Sequence, residues 1–243
     1  MADTIEQQTI EDDPIEVRRA KREALIAAGE NPYGQAFEYT HHIAELDEKY
    51  AELADGENTE DRVRVAGRIM AKRVQGKIVF FELMDATGRI QLFCRINALG
   101  DEAFAAMKDL DLGDWIGVDG LMMRTRRGQL SVAVDAFELL SKALRPLPEK
   151  FHGLSDKETR YRQRYVDLIV NEDVRDTFAK RSRIISAFRR YMEADGYYEV
   201  ETPILQTIQG GATAKPFITH FNVLDQECYL RIATELHLKR LLL

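Results

Sequence analysis

The sequence has 243 residues, 45% of them hydrophobic, with 34 basic and 41 acidic side chains and a formal net charge of −7. That is ample apolar material for one or two packed domains, and no apolar run approaches the 18 or more residues of a membrane span. The acidic N-terminus is no secretory leader, and the widely separated Cys94 and Cys228 read as buried thiols of a reducing compartment, not as a disulfide or a metal pair.

The negative average conceals a partition. Residues 1–60 carry 5 basic and 16 acidic side chains, residues 61–144 carry 13 against 11, residues 145–192 carry 12 against 7, and residues 193–243 carry 4 against 7. The middle of the chain is therefore mildly basic, which permits a phosphate-bearing partner without demanding one.

Residues 1–12 are polar and predict a disordered leader. Asp13-Pro14 supplies an N-cap with proline at the first helical position, and Gly29 supplies a stop, so a charged helix is expected between them. A second helix is expected over roughly Thr40 to Leu53, with His41-His42 as surface histidines because neither has a partner at metal-ligand spacing.

From Asp61 the period becomes two. "RVRVAGRI" sets Arg62, Arg64, Ala66 and Arg68 against Val63, Val65 and Ile69. "KIVFFELMDATGRIQLFCRI" predicts a hairpin turning at Asp85–Gly88, with Val79, Phe81, Leu83, Ile90, Leu92, Cys94 and Ile96 inward. A helix over Ala98 to Leu110 and two strands joined by the basic turn Arg126-Arg127-Gly128 complete the pattern. Five strands with a helix between the third and fourth match the small Greek-key barrel called the OB-fold. The face left outside carries Arg64, Arg68, Phe80, Gln91, Phe93 and Arg95, a set suited to stacked bases, base edges and phosphates. The alternation alone leaves open whether Phe80 and Phe93 stack on bases or pack under the N-terminal helices.

Arg145-Pro146-Leu147-Pro148 reads as an extended connector. Ser155 is the expected cap of an arginine-rich helix, and a longer apolar-faced helix is expected over about Val174 to Asp195, ended by Gly196. An extended stretch broken at Pro203 follows, and Thr234 opens a last helix bearing Leu236, Leu238 and Leu241 to Leu243.

At this point the residues resemble a known family. "GYYEVETPIL", Gly196 to Leu205, resembles motif 1 of the class II aminoacyl-tRNA synthetases. "RPLPEKFHGLSDKETRYRQRYVDLI", "GGATAKPFITHFN" and "YLRIATELHLKRL" resemble the lysine-charging members in particular, and the likeness runs from "GENPYG" near residue 30 to the last residue. The resemblance implies an α+β chain: an N-terminal helical extension over 1–60, an anticodon-binding OB-fold over 61–144, a linker over 145–172 and part of a class II catalytic domain over 173–243. It implies that Phe80 and Gln91 grip the central anticodon uridine, with Arg64, Arg68 and Phe93 on the same RNA-binding face. A further family contact, a glutamate on the last strand, falls at Ala136, where Asp135 or Glu138 could substitute.

Motif 1 implies a homodimer interface around Pro203. Gly210, Gly211 and Ala212 match the loop that approaches the amino acid's α-amino end, and Glu235 matches the glutamate that receives the α-ammonium group. Read without the family, Glu235 is a first-turn glutamate favoured by the helix dipole. The family makes lysyl-adenylate from lysine and ATP with Mg²⁺ and passes lysine to tRNA(Lys) in the cytoplasm. The motif 2 and motif 3 residues that hold ATP and Mg²⁺ are not in this sequence, which supplies neither catalytic nor metal-binding residues, and no G-x-x-x-x-G-K-[ST] loop replaces them. This polypeptide alone is therefore expected to lack significant aminoacylation activity, to bind the anticodon weakly, and to be poorly packed beyond about Glu199. The alternatives of another class are a non-catalytic RNA-binding module and an aspartate- or asparagine-charging relative.

Overall fold

A computed structural model describes residues 13–34, 36–148 and 154–242. The leader at 1–12, residues 149–153 of the expected linker and Leu243 lie outside the described residues. The chain divides into two units between Val170 and Asn171.

In the first unit, α1 spans Pro14–Ala27, and the Asp13 carboxylate accepts the Ile15 N–H at 2.9 Å as its cap. Helix α2 spans Ile43–Lys49 and buries Ile43 and Leu46. It is shorter than the Thr40 to Leu53 expected from composition. Thr40 is withheld from it because its N–H donates to the Arg64 carbonyl and its hydroxyl accepts the Arg64 N–H, both at 2.9 Å. An extended residue bonded to a neighbouring strand cannot also be helical.

Strands β1 (Asn58–Gln75), β2 (Ile78–Met84), β3 (Arg89–Arg95), β4 (Trp115–Arg124) and β5 (Leu130–Ser141) close a barrel in the order β1-β2-β3-β5-β4. The β3–β5 pair is parallel and the other pairs are antiparallel. Alternation buries Val63, Val65, Ile69, Val79, Phe81, Leu83, Ile90, Leu92 and Cys94 inside, where they meet Ile43 and Leu46 of α2. The β2–β3 turn falls at Asp85–Gly88 as the sequence predicts, and Asp85 caps it by accepting the Thr87 and Gly88 N–H groups.

The helix between β3 and β4 is broken in two: α3, Ile96–Leu99, and α4, Asp101–Asp109. Gly100 separates them with φ +81, a left-handed conformation that glycine adopts without steric cost. Phe104 and Met107 of α4 join the core. The connector then leads to α5 (Lys157–Arg162) and α6 (Arg164–Val170). Asp156, not Ser155, caps α5, accepting the Thr159 N–H at 2.8 Å. A carboxylate at the cap satisfies that orphan donor and also favours the positive helix end.

The second unit holds α7 (Glu172–Ala194), a three-stranded antiparallel sheet of β6 (Leu205–Gln206), β8 (Gln226–Leu230) and β7 (Ile218–Phe221), and α8 (Glu235–Leu241). No described helix is long and apolar enough to cross a membrane.

Candidate nucleic-acid interface and amino-acid pocket

The outer face of β2 and β3 is built by cross-strand register. Phe80 on β2 pairs with Phe93 on β3, and Glu82 pairs with Gln91, so Phe80 and Gln91 are diagonal neighbours on one face. The two rings sit 5.3 Å apart at an interplanar angle of 32°. The Arg73 guanidinium lies 4.8 Å from the Phe80 ring centre, and that of Arg95 lies 5.2 Å from the centre of Phe93. Gln91 accepts the Ser131 hydroxyl at 2.9 Å through its carbonyl oxygen, which orients its NH₂ as a donor. Arg73, Phe80, Gln91, Arg89 and Gln129 line a groove of ≈ 350 Å³ beside it.

Arg73 is a member that alternation from the start of β1 hides. Its odd number would place it inward with Val63, Val65 and Ile69. The β1–β2 register shifts between Ile69 and Ala71, so the strand bulges at Met70 and the period inverts. Arg73 then pairs with Phe80 across the ladder. The sequence carries one trace of this, two consecutive apolar residues, Ile69-Met70, inside an otherwise strict alternation.

Arg64 and Arg68 are on β1 but not in this cluster. Arg64 pairs with Asp119 of β4 and stacks 4.4 Å from the Phe37 ring, while Arg68 donates to the Gly113 carbonyl at 2.9 Å beside Trp115. Burial lowers the pKa of the Arg68 guanidinium, against the opposing pull of the Asp114 carboxylate. Ala136 and Glu138 also lie elsewhere, at the far end of β5. The β5 residue beside Gln91 is Ser131, Ala136 faces Asp119, and Asp135 is ion-paired with Arg62 at 2.8 Å.

In the second unit the glycine loop and α8 come together. A Cβ on Gly210 would lie 2.7 Å from a Leu236 methyl, and Gly211 has φ +90 with its Cβ position 3.0 Å from Ala233. The loop therefore lies against the residues that open α8, beside Glu235. Glu235 is exposed and ion-paired with Lys239 one turn on, and that hydrogen bond holds its carboxyl below the usual carboxylate range. It presents an ionised carboxylate able to receive an ammonium group. Thr234 occupies the cap position, but its side chain makes no capping bond. Pro203 is exposed and precedes β6; the Arg231 guanidinium donates to the neighbouring Thr202 carbonyl at 2.7 Å. Among the described residues no group of three or more His, Cys, Asp or Glu side chains could hold a metal ion.

Comparison with known proteins places both regions. Residues 63–140 match the OB-fold nucleic acid binding domain, and residues 156–243 match the tRNA synthetases of class II (D, K and N). The chain is 54% identical over 230 residues to the lysine–tRNA ligase of Thermosynechococcus vestitus, covering 93% of this chain and 46% of that protein. It is 52% identical over 232 residues to that of Enterococcus faecalis (95% and 47%), and 50% identical over 230 residues to that of Oceanobacillus iheyensis (94% and 47%). The chain is a homologue of lysine–tRNA ligases. It spans about half the length of the relatives it matches. The OB-fold match covers the barrel that carries Phe80 and Gln91, and the synthetase match covers the segment from α5 to α8 that carries Glu235. The α+β architecture expected from the lysine–tRNA ligase resemblance is the one found.

Proposed function

We propose that the chain serves ATP-dependent attachment of lysine to tRNA(Lys), with the barrel reading the anticodon and the second unit contributing part of the lysine pocket. The observation that carries the reading is the half-buried diagonal pair Phe80–Gln91 on the outer face of the barrel, in a chain at least 50% identical to lysine–tRNA ligases. An aromatic ring stacks any base, while an oriented amide N–H₂ donates to a pyrimidine carbonyl and so selects uridine over cytidine, whose N4 amino group would oppose it. In this reading Phe93 and Arg73 extend the platform. Residues 1–60 are an N-terminal extension, 61–144 the anticodon domain, 145–172 a linker and 173–243 part of the catalytic domain.

Gly210, Gly211 and Ala212 would let backbone approach the α-amino end of lysine, and Glu235 would take its ammonium group, exchanging its Lys239 partner for the substrate. The exposed Ile184, Phe188 and Tyr191 on α7, with Pro203, support a homodimer through this region. ATP and Mg²⁺ belong to the family's chemistry, and the described residues offer no acidic cluster to hold a metal ion. The cytoplasm is the proposed compartment.

Two measurements test the reading. RNA hairpins with a uridine-rich loop should bind the 243-residue chain more tightly than the same hairpin with the central uridine changed to cytidine. Phe80→Ala should weaken binding about tenfold or more, and Gln91→Ala should erase the preference. Equal binding of both hairpins by the wild-type chain would overturn the anticodon role. Lysine-dependent exchange of pyrophosphate into ATP, assayed on a protein that continues this chain through motifs 2 and 3, tests the activity. Exchange driven by aspartate or asparagine instead would overturn it.

A further inference from the structure

The one buried residue of α1 is an arginine, Arg18, while the apolar Val17 and Ile26 of the same helix are exposed. The Arg18 guanidinium donates to the carbonyls of Ala143 at 3.4 Å and Arg145 at 3.1 Å. One turn on, Lys21 donates to the Asp109 carbonyl at 2.7 Å and meets the Asp111 carboxylate at 3.2 Å. Helix α1 is thus docked by two cations on one face, to the chain leaving β5 and to the turn between α4 and β4. That turn holds the same stretch as well. Asp114 is fully buried, and its carboxylate accepts the Ala143 N–H at 2.8 Å and the Lys142 ammonium at 2.9 Å. Lys142 is the first residue after β5, and its side chain is 3% exposed. It also reaches Asp111 at 2.6 Å, and its N–H donates to the Pro32 carbonyl at 2.9 Å. At Gly113 a Cβ would lie 3.2 Å from the Ala143 methyl, so the turn packs directly on the chain it holds. Residues 142–145 are gripped immediately before Pro146 and Pro148, which keep the connector extended and stiff.

Buried charges are weak stabilisers, because the cost of desolvation offsets their attraction; what a fully bonded network of them fixes is geometry. A guanidinium engaged with two main-chain carbonyls is also withdrawn from any phosphate. We infer that α1 is a brace for the connector, and that Arg18, with the Lys142–Asp114 pair, sets the direction in which the chain leaves the barrel. Arg18 is then a positioning residue for lysine transfer that touches neither RNA nor amino acid. A stiff connector carries a direction fixed at 142–145 onward to the segment that bears Glu235, whereas a loose one would let anticodon binding and lysine activation proceed uncoupled. The inference rests on the function proposed above and gives the N-terminal extension a part in it.

The test pairs two readouts. In the 243-residue chain, the Lys142 and Ala143 amides should exchange hydrogen about tenfold faster in Arg18→Met, while β2 and β3 amides and hairpin binding keep their wild-type values. In the protein that continues through motifs 2 and 3, Arg18→Met should lower kcat/KM for tRNA charging about tenfold and leave lysine-dependent pyrophosphate exchange unchanged. Arg18→Lys keeps a donor for the two carbonyls and should restore most of both. Arg19→Gln removes the same charge from the exposed face of α1, where Arg19 pairs with Glu16, and should change neither. If Arg18→Met does not fold, Lys142→Met/Asp114→Asn, which removes the buried pair together, should give the same two effects. Wild-type amide exchange and charging in Arg18→Met, a hairpin-binding loss as large as the charging loss, or an equal loss in Arg19→Gln would overturn the brace. Absence of lysine-dependent exchange in the unsubstituted protein would overturn the proposed function instead, and the connector amides would still decide the brace.

Discussion

Gly67 and Cys94 show how tightly single positions are held in the barrel. A Cβ on Gly67 would lie 2.6 Å from the Met84 carbonyl oxygen and 2.9 Å from the Leu83 side chain, closer than real contacts allow. Gly67→Ala should therefore force β1 away from β2 and cost about 1–3 kcal/mol or more, measured as a lower denaturation midpoint at constant m-value. Cys94 is fully buried among the inward residues of β3, and burial pushes its thiol up to about 12. It stays protonated across the neutral range, and since the thiolate is the nucleophile it should resist alkylation until the barrel unfolds. Mass spectrometry after iodoacetamide treatment in native buffer should find Cys94 unmodified, and rapid labelling at neutral pH would contradict its burial. The inward identity of Cys94 and the outward identity of Phe80 were both legible in the sequence, because period-two alternation assigns faces without tertiary information.

At the scale of elements, Asp85 joins a turn to a helix. Its carboxylate accepts N–H groups from Thr87 at 2.6 Å and Gly88 at 2.9 Å within the hairpin, and from Ile43 at 2.9 Å at the start of α2. Burial acts to raise its pKa, but the donated N–H bonds outweigh burial and hold it below its ordinary value. A group whose folded pKa is depressed stabilises the fold above the unfolded pKa and loses that contribution as pH falls through the folded one. Stability from Asp85 should thus be full at pH 5 and above, and should decline below about pH 4. Asp85→Ala should cost about 1–3 kcal/mol at pH 7 and less at pH 3, as read from denaturant titrations at the two pH values. An equal loss at both would show that the carboxylate charge plays no part. The turn at Asp85–Gly88 was legible from its residues, whereas the bond to Ile43 spans 42 positions and no local pattern announces it. The same holds for the bulge at Met70, which depends on how β1 must bend to pair with β2 on one side and β4 on the other.

At the scale of the molecule, apolar burial is uneven. The buried core cluster lies between Ile43 and Val134, and among the described residues beyond Val170 the buried hydrophobic ones are Val174 and Cys228. In the second unit Phe188, Tyr198, Ile208, Phe217 and Val223 are exposed. With little apolar area removed from water to offset chain entropy, the second unit should open at lower free energy than the barrel. Limited proteolysis should cut between Gly196 and Phe217 before it cuts within the barrel, and amides of β7 and β8 should exchange hydrogen faster than those of β2 and β3. Equal protection in both units would refute this. A partner surface that covers the exposed face should reverse the order, since burial, not propensity, is what that unit lacks.

The sequence by itself determined the elements and their faces: five period-two strands, an N-capped first helix, the Asp85–Gly88 turn, and Phe80 and Gln91 on a face opposite the aliphatic lining. Those follow from side-chain periodicity and local capping, which need no knowledge of distant residues. Only the tertiary structure decided which outward residues meet. It brought Arg73 beside Phe80 through the bulge, drew Arg64 and Arg68 away to Phe37, Gly113 and Trp115, and set Ser131 rather than Ala136 beside Gln91. The physical reason is that register between strands is fixed by hydrogen bonds and core packing across tens of residues, so a one-residue shift changes every neighbour while leaving the local pattern untouched.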